Sequence, residues 1–397
     1  MENSRIINFI FTLFLAGLLF VAPFMSWAYD DKKTHPALTA EIIKFYKRSF
    51  FEDKLNDMEK EFVIQGSIDE DTGIRWMHHY YDPVFNRGLT LGSNKSVNPN
   101  LAFVGGAPLT SQWSSSKEWA QSSPSQSGLT GLMGSLFQGY FSSKDDYSWE
   151  RGIYEYAWGN KQHGLESLGH VLHLMEDASV PDHTRNDPHP GLENSLASAV
   201  TPDVLLNYLG SHDVTNGSPY EGYAIFGRGS LNIAQEIENE KPIIANTLDE
   251  YFTRIATYSN NYFFSGDTII GSPYHSPKIE NLEIRTEKLS NDKDYKFGYI
   301  KDNQGNSFKI VKITDNVLVN DPYSIKDIDN KIMKEYWTFL SRQAVLHGAG
   351  VVKLFFDEVE KEKQTKTLYD KNRSWVSKTY DSFTQAAFGA ANLLYIF

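Results

Sequence analysis

A histidine and an aspartate four residues apart, His173 and Asp177, stand in the run Gly169-His170-Val171-Leu172-His173-Leu174-Met175-Glu176-Asp177-Ala178-Ser179-Val180-Pro181-Asp182-His183. On an α-helix, positions i and i+4 share a face, so this imidazole and carboxylate can converge on one metal ion, while Pro181 ends the helix and turns His183 inward. One such pair is common by chance, and His173 alone would equally serve as a buried histidine satisfied by a carbonyl or by Asp177. Further clusters favour the metal. His79 lies in His78-His79-Tyr80-Tyr81-Asp82-Pro83, the acidic Asp69-Glu70-Asp71 follows Gly66-Ser67, and His35 lies in Thr34-His35-Pro36-Ala37-Leu38-Thr39. With no cysteine in the chain, any such site must use nitrogen and oxygen donors. Several histidines among them favour zinc, whereas an all-oxygen set would suggest Mg²⁺ or Ca²⁺. For His170, one turn from His173, an ordinary core or surface place is the favoured reading and a supporting place behind a metal ligand the alternative; His78, His163, His275 and His347 are read as ordinary histidines.

Other chemistries lack their motifs. There is no Gly-x-Ser-x-Gly elbow, no phosphate-binding P-loop and no His-Glu-x-x-His protease helix. The net charge of −12 gives no global positive field to draw in a nucleic-acid backbone. A small or interfacial phosphodiester is the more natural partner.

The elements that must position these residues are mostly helical. Leu38, Ile42, Ile43, Tyr46 and Phe50 recur at helical intervals within 36–62, with Thr34 or Thr39 as the cap. Residues 92–147 are rich in Ser, Gly, Gln and Asn and read as a long loop with a short helix around Trp119. Tyr147 to Asp177 is the strongest helical region, broken at Gly159-Asn160, and Ser230 to Phe264 and Ile325 to Glu362 follow. Between the last two, Tyr295, Phe297 and Tyr299 alternate with other residues, Asp302-Asn303-Gln304-Gly305 turns, and Phe308 to Ile313 is extended: a β-hairpin insertion.

The expected organisation is an export signal at 1–28, a helical catalytic domain at 29–275, the hairpin insertion at 276–322, a helix at 323–362 completing the catalytic domain, and a tail at 363–397. Arg5, the apolar run from Ile6 to Phe24 and Ser26-Trp27-Ala28 fit a secreted or periplasmic protein cut after Ala28, leaving Tyr29 first. The apolar run also approaches spanning length, so an uncleaved anchor is the competing reading. The aromatic tail is read as a packed terminal helix, with a membrane-surface element as the alternative.

These segments resemble the bacterial zinc-dependent phospholipases C over roughly residues 29–265 and the helix before Glu362. The resemblance rests on the Thr-His start, the His-aromatic-aromatic-Asp-Pro run, the Gly-x-x-x-His-x-x-x-Asp-x-x-x-Pro-x-His helix end, and Tyr220-Glu221-Gly222-Tyr223-Ala224. It implies an all-α, multi-helix zinc phospholipase C-like domain holding three zinc ions. By position, His79, His173 and Asp177 would ligate one zinc. Asp177 would bridge to a second, held by His35 and the α-amine and carbonyl of Tyr29. Asp71, with Asp69 as a rival, falls where the family has the acidic residue that orients or deprotonates the attacking water. The third zinc would take His183, a further histidine and a glutamate. His189 or His212 supplies the histidine, and Glu221 or Glu193 the carboxylate, with His189 and Glu221 favoured.

The implied activity is hydrolysis of a phospholipid by zinc-activated water, releasing diacylglycerol and a phosphorylated head group, in a monomer. A single-strand-specific nuclease or nucleotidase on the same scaffold is the alternative, although its Asn-Leu-His-x-x-Trp-Asp and His-Gln-Pro-Leu-His segments are absent. A non-enzymatic relative with an incomplete metal set is the third reading.

Overall fold

The computed structural model describes residues 33–71, 75–90, 103–104, 107–108, 113–121, 146–187, 218–226, 231–269, 273–314 and 322–372. Helix α1 (Thr34–Phe50) and α2 (Asp57–Asp69) replace the single helix expected over 36–62. Phe51 breaks the chain with φ of 54°, and Asn56 restarts it through a capping box with Glu59. The Asn-x-x-Glu signature was there to read. Neither threonine caps α1: its flanking residue is Lys33, which makes no side-chain cap, and Thr39 Oγ1 donates instead to Glu176.

After a 3-10 turn at Arg75–His78 come the two-residue strands β1 (Phe103–Val104) and β2 (Ala107–Pro108), then α3 (Ser116–Gln121) around Trp119. The expected break at Gly159-Asn160 separates α4 (Trp149–Trp158) from α5 (Lys161–Asp177), capped by Ser148 and Asn160 respectively. Pro181 opens a one-turn helix, α6 (Pro181–Thr184), and α7 (Pro219–Phe226) follows. The stretch expected as one helix over 230–264 is α8 (Ile233–Glu236) and α9 (Leu248–Tyr262), with a non-helical connection between them. Lys241-Pro242 makes that interruption physically sensible, because proline denies the residue before it the helical region.

The inserted β element is larger than a hairpin. β3 (Glu283–Lys288), β4 (Asp294–Lys301), β5 (Ser307–Ile313) and β6 (Tyr323–Ser324) form an antiparallel four-stranded sheet in sequential order. The sequence marked β4 and β5, whose apolar residues reach the core. β3 is almost entirely exposed and β6 is two residues long, so neither carries a buried pattern to read.

Helix α10 (Lys331–Thr365) joins the two cores, and a short α11 (Thr367–Asn372) follows it. At about 1.5 Å per residue it runs roughly 50 Å. Its first half, with Ile332, Met333, Tyr336 and Leu340, packs under the sheet against Phe297, Phe308, Ile310 and Val311. Its second half, from Ala344 to Val359, enters a core built mainly from helices, with Leu38, Ile42, Leu168, Leu172 and Phe252. The result is a mostly helical protein with a small antiparallel sheet. Among the described residues, no helix is long and apolar enough to cross a membrane.

At the centre of the helical core, α5 is buried around its whole circumference from Gly169 to Asp177. That stretch nevertheless carries His170, His173, Glu176 and Asp177. Ionisable groups so placed must be paired or bound to something charged.

Candidate metal centre

Six elements deliver side chains to one buried spot. His35 comes from the first turn of α1, Asp71 from just past the end of α2, and His79 from just past the 3-10 turn. His173 and Asp177 lie one turn apart on α5, and His183 sits on α6. Glu221 comes from α7, whose start is held by Ser218 Oγ accepting from the Glu221 amide at 3.3 Å. All seven are buried.

Asp177 is the hub. Its Oδ2 lies 2.9 Å from His79 Nδ1 and 3.3 Å from His173 Nε2. Its Oδ1 lies 3.5 Å from His35 Nε2 and 3.5 Å from His183 Nδ1. One oxygen therefore faces one pair of imidazoles and the other a second pair. Asp71 Oδ1 closes the first group, 3.6 Å from His79 Nδ1 and 3.7 Å from His173 Nε2. On the far side of His183, its Nε2 lies 3.1 Å from Glu221 Oε1.

These separations fit cations. Donors at about 2.0–2.1 Å from a tetrahedral ion stand roughly 3.3 Å from one another. Among the described residues, both oxygens of Asp71, both of Asp177, both ring nitrogens of His79 and Nε2 of His173 are buried with no hydrogen-bond partner. Buried polar atoms left in that state would be costly, and their convergence identifies a place where a metal ion can be held. The sets His79, His173, Asp177 and His35, Asp71, His173 each present ligand atoms close enough to share an ion.

The electrostatics follow the same geometry. Burial pushes the Asp177 carboxyl up, but His183, His173 and His79 overcome it and hold it well below the ordinary carboxylate range. Asp71 goes the other way: burial dominates and raises it. Burial acts to lower His35, yet its contacts with Asp177 and Glu176 carry it well above the usual imidazole value.

Around the cluster, fixed partners orient the imidazoles. His173 Nδ1 donates to the Ser67 carbonyl at 2.6 Å, and His35 Nδ1 pairs with Glu176 Oε2 at 2.6 Å. The His35 and His173 rings stack with centroids 3.6 Å apart, and Tyr80 stacks on His183 at 4.6 Å. Glu70, fully buried, accepts from Arg75 Nε at 2.8 Å, Arg75 Nη2 at 2.6 Å and Trp119 Nε1 at 3.0 Å, and it pairs with His170 Nδ1. His78 stacks flat on Trp119 at 3.9 Å, beside this network.

Of the residues singled out in the sequence, His35, Asp71, His79, His173, Asp177, His183 and Glu221 meet here. Asp69 does not: it accepts from Gln65 one turn back on α2. Tyr29, His189, Glu193 and His212 lie outside the described residues. The spacing singles out neither Glu70 nor Glu176, and His170, for which an ordinary place is favoured over a supporting one, pairs with Glu70 beside the cluster. The one signal available was a carboxylate placed directly before each of the two aspartates, Glu70 before Asp71 and Glu176 before Asp177. Comparison with protein-family models, with curated proteins and with solved structures finds no match to this chain.

Proposed function

We propose that this chain is an exported zinc-dependent phosphodiesterase of the phospholipase C type, cleaving a phospholipid to diacylglycerol and a phosphorylated head group. The observation that carries the reading is the two-sided placement of Asp177, one oxygen toward His79 and His173 and the other toward His35 and His183. A carboxylate so placed suits adjacent cations, and adjacent cations suit a phosphodiester, whose attacking, leaving and non-bridging oxygens all carry negative charge under attack. The resemblance of the short motifs to the zinc-dependent phospholipases C supports the same substrate class.

The residues that would hold zinc are His79, His173, Asp71 and Asp177 on one side, His35 with Asp177 on a second, and His183 with Glu221 on a third. Zinc bound there supplies Lewis acidity, which acidifies water and offsets charge on the phosphoryl group. The chain supplies the rest. Asp177 stays anionic because its histidines hold it so. Asp71, whose proton affinity burial has raised, takes the proton of the attacking water on Oδ2, since Oδ1 faces His79 and His173. The water oxygen bonds to phosphorus, the bond from phosphorus to the glycerol oxygen breaks, and the proton on Asp71 is available to that departing oxygen.

Zinc counting on the purified protein, together with incubation against phosphatidylcholine vesicles and single-stranded DNA, tests the proposal. Two or more tightly held zinc ions per chain and release of phosphocholine are expected. Degradation of the DNA with the vesicles intact would transfer the assignment to a nuclease. Fewer than two zinc ions and no hydrolysis would leave a binding protein.

A further inference from the structure

Glu176 is a fully buried carboxylate that ligates nothing in the reading above, yet it is among the most tightly engaged groups near the cluster. Its Oε2 lies 2.6 Å from His35 Nδ1, and its Oε1 accepts from Thr39 Oγ1 at 2.8 Å. The contact joins residues 141 positions apart, so it is a tertiary feature rather than a local turn. His35 and Thr39 are four apart on α1 and present one face, and Glu176 reaches across from α5 to take both.

The consequence lies in the imidazole. With Nδ1–H donating to Glu176, the lone pair of a neutral ring sits on Nε2, the atom that faces Asp177 Oδ1 at 3.5 Å. Without that acceptor, either tautomer is available and the ring can rotate about its bond to Cβ. Glu176 and Asp177 are consecutive on α5. A single rigid helix thus carries both the carboxylate that orients His35 and the carboxylate His35 faces.

We infer that Glu176, itself anchored by Thr39, is the positioning residue for His35: it fixes the Nε2-presenting tautomer and raises the basicity of that nitrogen toward the cation shared with Asp177. The inference rests on the metal-cluster reading and adds a residue to it. A carboxylate behind a metal-binding histidine typically contributes about 10–100-fold in metal affinity.

The test measures zinc affinity and stoichiometry by chelator competition in the full chain for wild type, Glu176→Gln, Thr39→Val, His35→Ala and the His35→Ala/Glu176→Gln double variant. Glu176→Gln is expected to weaken the affinity of one zinc ion about 10–100-fold with the number of ions unchanged. Thr39→Val should act in the same direction and less. In the His35→Ala background, Glu176→Gln should change affinity by less than about twofold, because the path through the imidazole is already gone. A ring-selective NMR spectrum should show the His35 Nδ1 proton in wild type and its loss or faster exchange in Glu176→Gln, independently of metal. Wild-type affinity in Glu176→Gln, or an undiminished effect in the His35→Ala background, overturns the inference while leaving the metal centre standing. Loss of a whole ion at unchanged affinity for the others would make Glu176 a ligand and also overturn it. A wild-type chain that binds no zinc overturns both.

Discussion

Replacing Gly169 by alanine isolates how backbone packing sets the candidate site. Glycine inside a helix ordinarily costs about 1 kcal/mol relative to alanine, so the substitution would stabilise an isolated helix. Here α2 and α5 cross so closely that a Cβ on Gly169 would lie 2.0 Å from the Val63 carbonyl oxygen, 2.8 Å from the Ser67 amide nitrogen and 2.9 Å from the Gly66 Cα. All three are backbone atoms, which cannot rotate away. Restoring an ordinary contact of about 3.4 Å requires α2 to retreat by roughly 1.4 Å at that point. Ser67 lies on the retreating segment, and its carbonyl accepts from His173 Nδ1 at 2.6 Å. The same retreat stretches that bond to about 4 Å, beyond hydrogen-bonding range.

Overpacking of this kind costs about 1–3 kcal/mol, and leaving the buried carbonyl and imidazole unpaired costs about 1–3 more. After the propensity gain, Gly169→Ala should be destabilised by about 1–5 kcal/mol in a denaturant titration. It should also bind zinc at least about tenfold more weakly, because His173 loses its orienting partner. Gly222→Ala is the control. It lies beside Glu221 on a helix, a Cβ there meets nothing within 4 Å, and its stability should stay within about 1 kcal/mol of wild type or rise. Equal stability and equal zinc affinity for the two variants would refute the claim that the Gly66/Gly169 crossing places His173.

Asp71→Asn should lower the rate of phosphodiester hydrolysis by more than it lowers zinc content, whereas Asp177→Ala should lose both together; equal losses in Asp71→Asn would assign Asp71 as an ordinary ligand. Stripping zinc with a chelator should lower the thermal midpoint, and added zinc should restore it, because an ion bound only by the folded state stabilises it by mass action; an unchanged midpoint counts against a structural role for the metal. Burial lowers His347, remote from the cluster with Nδ1 facing the Gln343 carbonyl at 2.8 Å, to about 4. Its unfolded form binds a proton below about 6.5 while the folded form does not, so it erodes stability as pH falls from about 6.5 to 4, by at most about 3 kcal/mol. His347→Gln should flatten that part of the chelated protein's stability profile, and an unchanged slope would show that His347 is not one of the groups responsible.

Much of the candidate site was visible in the chain as written. The i, i+4 pair His173 and Asp177 and the absence of cysteine follow from residue type and spacing alone, because helical geometry and donor chemistry are local properties; Pro181 was expected to end their helix, whereas that helix ends at Asp177 and Pro181 opens the next turn, which carries His183. Helix identity was equally local for α4, α5 and α10, whose apolar periodicity is strong, with Ser148 and Asn160 capping the first two. The helix drawn through Phe51 and the hairpin that is a sheet failed for a shared reason. A left-handed break at Phe51 and the exposed edge strand β3 leave no hydrophobic signature, and only the register against β4 makes β3 a strand.

What spacing could not decide is which atoms meet. That Asp177 presents one oxygen to His79 and His173 and the other to His35 and His183 depends on how α1, α5, α6 and the chain at His79 meet in space, and the anchoring of His173 on Ser67 depends on the close α2–α5 approach at Gly66 and Gly169. That Glu176 serves His35 across 141 residues, and Glu70 serves His170 across 100, is likewise invisible along the chain. The sequence determined the inventory of donors and the helices that carry them. Tertiary packing alone decided their orientation, because lone-pair direction is fixed by neighbours in space and not by neighbours in sequence.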